Sequence, residues 1–153
     1  VWENCHLFIT TQRKTGIMNH SARRGEKSEL AVASELVAQG YSVSFPFGHN
    51  HQYDLIVDKD GSLYRVQVKT AKHEEGNRYY IQVDADKYDK THVDLLAGSS
   101  EEREPTFFIP IEETSGKRQR VTFTDFDQMG SDASRQRSHH ISDYRFDEAI
   151  KRV

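Results

Sequence analysis

The chain has 153 residues, 35% of them hydrophobic and 29% charged, which suits a single domain with one core and a polar surface. No apolar run approaches the roughly 20 residues of a membrane span, so no membrane partner is expected. The one cysteine, Cys5, excludes an intrachain disulfide and a cysteine-based zinc site and suits a reducing cytoplasm, while the formal net charge of −3 counts against tight non-specific binding of nucleic acid without excluding a local basic face.

Residues 1–17 show no clear period. They read as an N-terminal extension before Met18, a tag or an upstream stretch. They are neither basic nor followed by a clean apolar core, so no signal peptide is expected. From Ser21 the pattern turns helical. Leu30, Ala33 and Val37, with Ala31, Leu36 and Ala38, give a broad apolar stripe, and Gly40 suits the residue just past the helix end. Glu29 sits beside that stripe. Tyr41 to Phe45 alternates as a strand, with Pro46 ending it or placing it at an edge. The loop from Phe47 to His51 carries His49 and His51. With no Cys or third His at ligand spacing they read as polar loop residues, and contact with DNA is a second reading.

Tyr53 to Thr70 reads as a β-hairpin. Leu55, Ile56 and Val57 form the first strand, Lys59-Asp60-Gly61 the turn, and Leu63 to Lys69 the second strand. In the second strand Tyr64, Val66 and Val68 share one face, and Leu63, Arg65, Gln67 and Lys69 the other. Asp54 heads the first strand. A carboxylate, an amide and an ammonium therefore converge on one side of an apolar ribbon, where unpartnered polar groups would be costly.

Beyond the hairpin, Ala71 to Asn77 reads as a polar turn and Arg78 to Val83 as a strand. Asp84 to Lys90 reads as a short helical turn capped by Asp84. His92 to Ala97 is a further strand, Gly98 to Glu104 a charged loop, and Thr106 to Ile111 a strong strand with Val121 to Phe123 pairing nearby. Gly130 to His140 is rich in Ser, Arg and Gln, has no apolar period and reads as loop or a locally disordered stretch. Ser142 to Val153 is helical, with Tyr144, Phe146, Ala149 and Ile150 partly on one face. The expected organisation is an extension over 1–17, a core domain over 18–128, and a loop and C-terminal helix over 129–153 belonging to the same domain.

Glu29, Asp54 and Gln67-Val68-Lys69 in this order resemble the PD-(D/E)XK nuclease superfamily. That pattern has a Glu on the first helix, an Asp opening a strand, and an acidic residue, any residue and Lys on the next. Thirteen positions separate Asp54 from Gln67, about what such a hairpin needs. Gln67 departs from the pattern, which expects Asp or Glu there. A Q-x-K variant occurs among intron-encoded homing endonucleases, and the layout is also similar to archaeal Holliday-junction resolvases. The resemblance covers residues from about Ala22 to Phe123.

The resemblance implies an α/β, restriction-endonuclease-like core with a central mixed β-sheet flanked by helices. It implies a metal-dependent DNA endonuclease acting on duplex or four-way junction DNA, with Mg²⁺, or Mn²⁺, as cofactor. Asp54 is the central metal ligand, Glu29 assists or holds a second ion, and the Gln67 amide oxygen and Val68 carbonyl complete the set. Lys69 orients or activates the attacking water, or stabilises the phosphorane. Arg23, Arg24, Lys27 and Lys72 are candidate phosphate contacts bracketing the site; His73 follows the catalytic strand, and Lys117, Arg118 and Arg120 make a second basic cluster. A homo-oligomer, dimer or tetramer, is expected. The rival reading is a non-catalytic DNA-binding protein that keeps the fold. In it, Asp54 caps a turn, Gln67 and Arg65 lie on a solvated face, and Lys69 ends an edge strand.

Overall fold

The hairpin is the structural centre. The computed structural model describes residues 20–48, 50–75, 77–84, 87–88, 90–100, 106–114, 119–124 and 139–153. Strand β2 (Leu55–Lys59) pairs antiparallel with β3 (Ser62–Thr70), Leu55 opposite Val66 and Lys59 opposite Ser62. Two residues join them, Asp60 at φ 54° and Gly61 at φ 85°. Left-handed backbone at both positions is the two-residue turn whose twist matches the strands. Asp58 Oδ1 accepts from the Gly61 N–H at 2.9 Å and closes it.

On its other side β3 runs parallel to β6 (Leu95–Ser99), and β6 pairs antiparallel with β7 (Phe107–Pro110). Strand β1 (Ser42–Ser44) adds to the far side of β2, giving a five-stranded mixed sheet in the order β1-β2-β3-β6-β7. Pro110 has no N–H to donate, and it lies on the edge strand β7. A second sheet holds β4 (Lys72–Glu74), β5 (Arg78–Val83), β8 (Gln119–Thr124) and β9 (His139–His140), in that order. The segment expected as a polar turn after Thr70 is thus partly a strand. Lys72 pairs with Tyr80 and Glu74 with Arg78, so hydrogen bonding to β5 overrides the polar sequence. Val121 and Phe123 pair with β5 and not with β7.

Each face of the five-stranded sheet has its own cover. Helix α1 (His20–Ala38) and the short α2 (Phe146–Ala149) pack on one face. There Val32, Ala33 and Leu36 meet Leu55, Val57, Val66, Val68, Leu95, Ala97 and Phe108. On the opposite face Leu96, Phe107 and Ile109 meet Tyr79, Ile81, Val83, Val121 and Phe123 of the second sheet. Phe107 stacks on Phe123 with ring centroids 3.9 Å apart. Each such buried ring or branched side chain stabilises by about 1.5–3 kcal/mol relative to exposure. Helices thus cover one face of the central mixed sheet, and a sheet covers the other.

The end of α1 follows from Gly40, at φ 91°. Its N–H reaches the Val37 carbonyl at 2.9 Å and the Tyr41 N–H reaches Leu36 at 3.1 Å, the paired bonds of a glycine-terminated helix. The buried stripe differs from the expected one. Leu30 and Val37 are 62% and 58% exposed, whereas Ser28, Val32, Ala33 and Leu36 are buried. The C-terminal segment is not one helix: 3-10 turns at Ile141–Tyr144 and Ile150–Arg152 flank α2. Ile141 and Tyr144 enter the core between the sheets, and Phe146 enters the helix-side core, its ring 4.8 Å from Tyr41 and 5.3 Å from Phe108. Residues 1–19, His49, Lys117, Arg118 and 125–138 lie outside the described residues. Among the described residues no helix is long and apolar enough to cross a membrane.

Candidate active site

Strands β2 and β3 part company at Asp54. The Asp54 N–H still donates to the Val66 carbonyl at 2.9 Å, the last backbone bond from this side. Beyond it β3 continues, and its next inward N–H, that of Val68, needs an acceptor. Asp54 supplies one: its Oδ2 accepts from the Val68 N–H at 2.7 Å and from Gln67 Nε2. The splayed hairpin thus fixes the carboxylate by main-chain geometry, which is more rigid than a side-chain contact alone. Gln67 Nε2 also approaches the Val68 carbonyl at 3.3 Å.

Glu29 comes to this place from α1. The hydroxyl of its neighbour Ser28 lies 2.9 Å from Thr70 Oγ1 and donates to the Arg24 carbonyl at 3.1 Å, tying the helix to the end of β3. Burial raises the Glu29 pKa above the ordinary carboxylate value, and repulsion from Asp54 and then Glu26 adds to it. Asp54 is raised too, by burial, against the pull of the Val68 N–H, the Lys69 ammonium and the Gln67 amide. The two carboxylates therefore stand close enough to repel, in a place where water screens them poorly. Lys69 Nζ donates to the Tyr88 hydroxyl at 2.5 Å and lies 4.7 Å from that ring's centroid.

Comparison with known proteins decides what this arrangement belongs to. The family profile described as PD-(D/E)XK endonuclease matches residues 19–147. The chain belongs to the PD-(D/E)XK endonuclease family. It is 43% identical over 54 residues to Protein 5.3 of Escherichia phage T7, a match covering 35% of this chain and 46% of that protein, so it spans about half the length of this curated relative. Its fold is similar to a bacterial homing endonuclease, I-Ssp6803I, with a TM-score of 0.62 and 25% identity over 88% of this chain and 91% of that one. A Holliday junction resolvase of Archaeoglobus fulgidus, Hjc, is similar at a TM-score of 0.48 and 17% identity, over 64% of this chain and 83% of that one.

PD-(D/E)XK nucleases generally use divalent metal ions. In this PD-(D/E)XK chain the groups that could hold such an ion, Glu29, Asp54, the Val68 carbonyl and the Gln67 amide, all offer oxygen. That chemistry fits a hard cation. As placed, Gln67 turns its –NH₂ toward both Asp54 Oδ2 and the Val68 carbonyl, so two partial positive hydrogens lie between two would-be ligands. Turning the amide by 180° exchanges Nε2 for Oε1 and makes the same position a neutral oxygen donor. Among the described residues no three His, Cys, Asp or Glu side chains cluster, because an amide stands where the family pattern has a third carboxylate.

The basic residues are placed differently from the expectation that they bracket the site. At about 100° per residue, Arg23, Arg24 and Lys27 lie about 120–160° around α1 from Glu29. All three are exposed and, with His20, Glu26 and Leu30, they line a depression on α1, while Lys27 also borders a second one with Ser28, Ala31 and Ser99 at the end of β3 and β6. The helix period separates these cations from the carboxylate beside them in sequence. Lys72 is exposed on β4, opposite Tyr80. His73 follows it on β4, its ring 5.1 Å from Tyr79. Arg120 pairs with Glu74 and stacks 3.6 Å over the Tyr80 ring. His51 bonds the Phe47 carbonyl at 2.9 Å, which closes its loop. Two neighbours of the site carry no sequence signal. Tyr88 falls in a polar stretch without period, and the Ser28–Thr70 bond joins residues 42 positions apart.

Proposed function

We propose that this chain is a divalent-metal-dependent endodeoxyribonuclease that cuts duplex DNA. The observation that carries the reading is the Asp54 carboxylate, fixed at the mouth of the hairpin on the Val68 N–H and flanked by Gln67, Lys69 and Glu29. It supports metal-assisted hydrolysis because a phosphodiester resists attack by repelling every nucleophile that carries negative charge. A divalent cation at this place would polarise the phosphoryl oxygen, acidify a water and offset developing charge. Asp54, the Val68 carbonyl and the turned Gln67 amide would hold it, with Glu29 as the second carboxylate. Mg²⁺ is the favoured ion and Mn²⁺ a substitute, given the all-oxygen donors. Lys69 brings an ammonium to the same mouth, where it orients the attacking water or stabilises charge on the phosphorane.

The similarity to a homing endonuclease favours a continuous duplex over a four-way junction. Cutting both antiparallel strands with one kind of site calls for two copies related by a two-fold axis, and we propose a homodimer. Arg23, Arg24, Lys27 and Lys72 serve as outlying phosphate contacts that hold DNA without entering the chemistry. The work is done in the reducing cytoplasm, where Cys5 stays a thiol. The test is incubation of purified protein with linear duplex, single-stranded, flap and four-way DNA in Mg²⁺, in Mn²⁺ and in chelator. Duplex cleavage that chelator stops supports the reading. DNA binding without cleavage of any substrate would instead favour a non-catalytic descendant of the fold.

A further inference from the structure

Lys69 is held by a residue that the nuclease pattern does not contain. Its Nζ donates to Tyr88 Oη at 2.5 Å and lies 4.7 Å from the ring centroid, at the hydroxyl end of the ring, so the phenol supplies a neutral acceptor. Among the described residues no ion pair joins Lys69 to Asp54 or Glu29, although the ammonium is close enough to act on Asp54. That is unexpected for a flexible cation beside two crowded carboxylates. A lysine free to choose would fold onto the carboxylate, neutralise it and cover the oxygens that the metal needs.

The phenol is itself braced. Its ring packs against the core between the sheets. Downstream the same segment is clamped by Arg65, whose Nε and Nη2 reach the two Asp94 oxygens at 3.0 and 2.8 Å and whose backbone N–H reaches Asp94 Oδ2 at 2.7 Å. Arg65 Nη2 also reaches the Lys90 carbonyl at 3.1 Å, and Lys90 Nζ bonds Glu112 at 2.8 Å. Arg65 lies two positions before Gln67 on the same face of β3. The strand that carries the site thus also fixes the segment that positions the site's lysine.

Resting on the nuclease reading above, we infer that Tyr88 is a positioning residue for cleavage: it draws the Lys69 ammonium off the carboxylates and presents it to the scissile phosphate. An ammonium has three donor hydrogens, and Tyr88 occupies one. The others remain for water and phosphate oxygen. A lysine side chain loses much rotamer freedom on being fixed, and here that loss occurs on folding instead of at the transition state.

The experiment pairs Tyr88→Phe, which keeps the ring and removes the acceptor, with wild type. Single-turnover cleavage of duplex DNA at saturating Mg²⁺ should slow about tenfold, the scale of one hydrogen bond to a charged group. DNA affinity and thermal midpoint should stay as they are. The ¹H–¹⁵N ammonium correlation of Lys69, assigned by its loss in Lys69→Arg and recorded without metal in the cold, should be visible in wild type and broadened away in Tyr88→Phe. A merely structural tyrosine would move the melting temperature and leave that resonance alone. Either an unchanged rate or an unchanged Lys69 resonance overturns the inference. If Tyr88→Phe proves unstable, the absence of a protected Lys69 ammonium signal in wild type overturns it alone. A wild type that cuts no DNA refutes the nuclease reading and this role with it, whereas an active wild type matched by Tyr88→Phe refutes this role only.

Discussion

Asp54 and Gln67 share an interaction that a metal site would have to rearrange. Gln67 donates to the carboxylate through Nε2, and the same amide offers an oxygen only after it turns. Gln67→Glu removes the donor and places a third anion beside two carboxylates whose pKa values burial already raises. Without metal that substitution should lower stability, because like charges crowd in a poorly screened place. With metal the order reverses: Mg²⁺ or Mn²⁺ affinity should rise about tenfold, since ligand charge governs binding of hard cations. Titration calorimetry with each ion checks this, and equal affinity would mean that Gln67 is not a ligand. The sequence shows Glu29, Asp54, Gln67 and Lys69 because a hairpin and a helix order them in a recognisable way. It shows nothing of Tyr88, because a tertiary contact between an ammonium and a phenol 19 positions apart leaves no period.

At the scale of elements, periodicity locates strands and helices better than it locates their faces. The hairpin is legible because Asp60 and Gly61 demand a left-handed turn and the apolar residues alternate around it. Helix α1 is legible as a helix, but its buried side is not. Alanines are spread around it, so the apolar count selected Leu30 and Val37, while packing selected Val32 and Ser28. Strand β4 is not legible in the sequence, because Lys72, His73 and Glu74 are polar and their pairing partner, β5, decides the matter. Gly98 shows how tightly β6 fits between the two layers. A Cβ there would collide with the Phe107 ring, which is fully buried and stacked on Phe123. Gly98→Ala should therefore destabilise by about 1–3 kcal/mol in urea unfolding, as overpacking of a filled core does. Strand β9 carries a pH sensitivity of its own. Burial lowers the His139 pKa below its usual 6.5, with Glu113 opposing and Arg152 adding to the shift. The unfolded chain then binds the proton more readily, so stability is full above pH 6.5 and falls as pH drops below it toward the folded value. His139→Phe, which keeps the ring packing on Phe123 and Tyr144, should flatten the decline of thermal midpoint across that window.

For the whole molecule, the two sheets and the helix layer put the candidate site at the open end of β2 and β3, with Lys69 inside it and Arg23 and Arg24 on the outer side of α1. Composition could not reveal this separation. The net charge of −3 averages over an acidic mouth and an outer cationic side of α1. Arg23 and Arg24 adjoin Glu29 in sequence yet face away from it, since five or six residues carry a helix around to its far side, while Lys27 borders the end of β6 beside Ser28 and Ser99. The central claim is that Asp54 holds a divalent cation that drives phosphodiester hydrolysis. Its most direct measurement is the single-turnover rate of duplex DNA cleavage by wild type and Asp54→Asn, in Mg²⁺ and in chelator, with thermal midpoint and DNA affinity recorded beside it. We expect wild type to cut in Mg²⁺ and stop in chelator, and Asp54→Asn to be at least about 10²-fold slower while folded and DNA-bound. Cleavage by Asp54→Asn at the wild-type rate, or cleavage that persists in chelator, would contradict it.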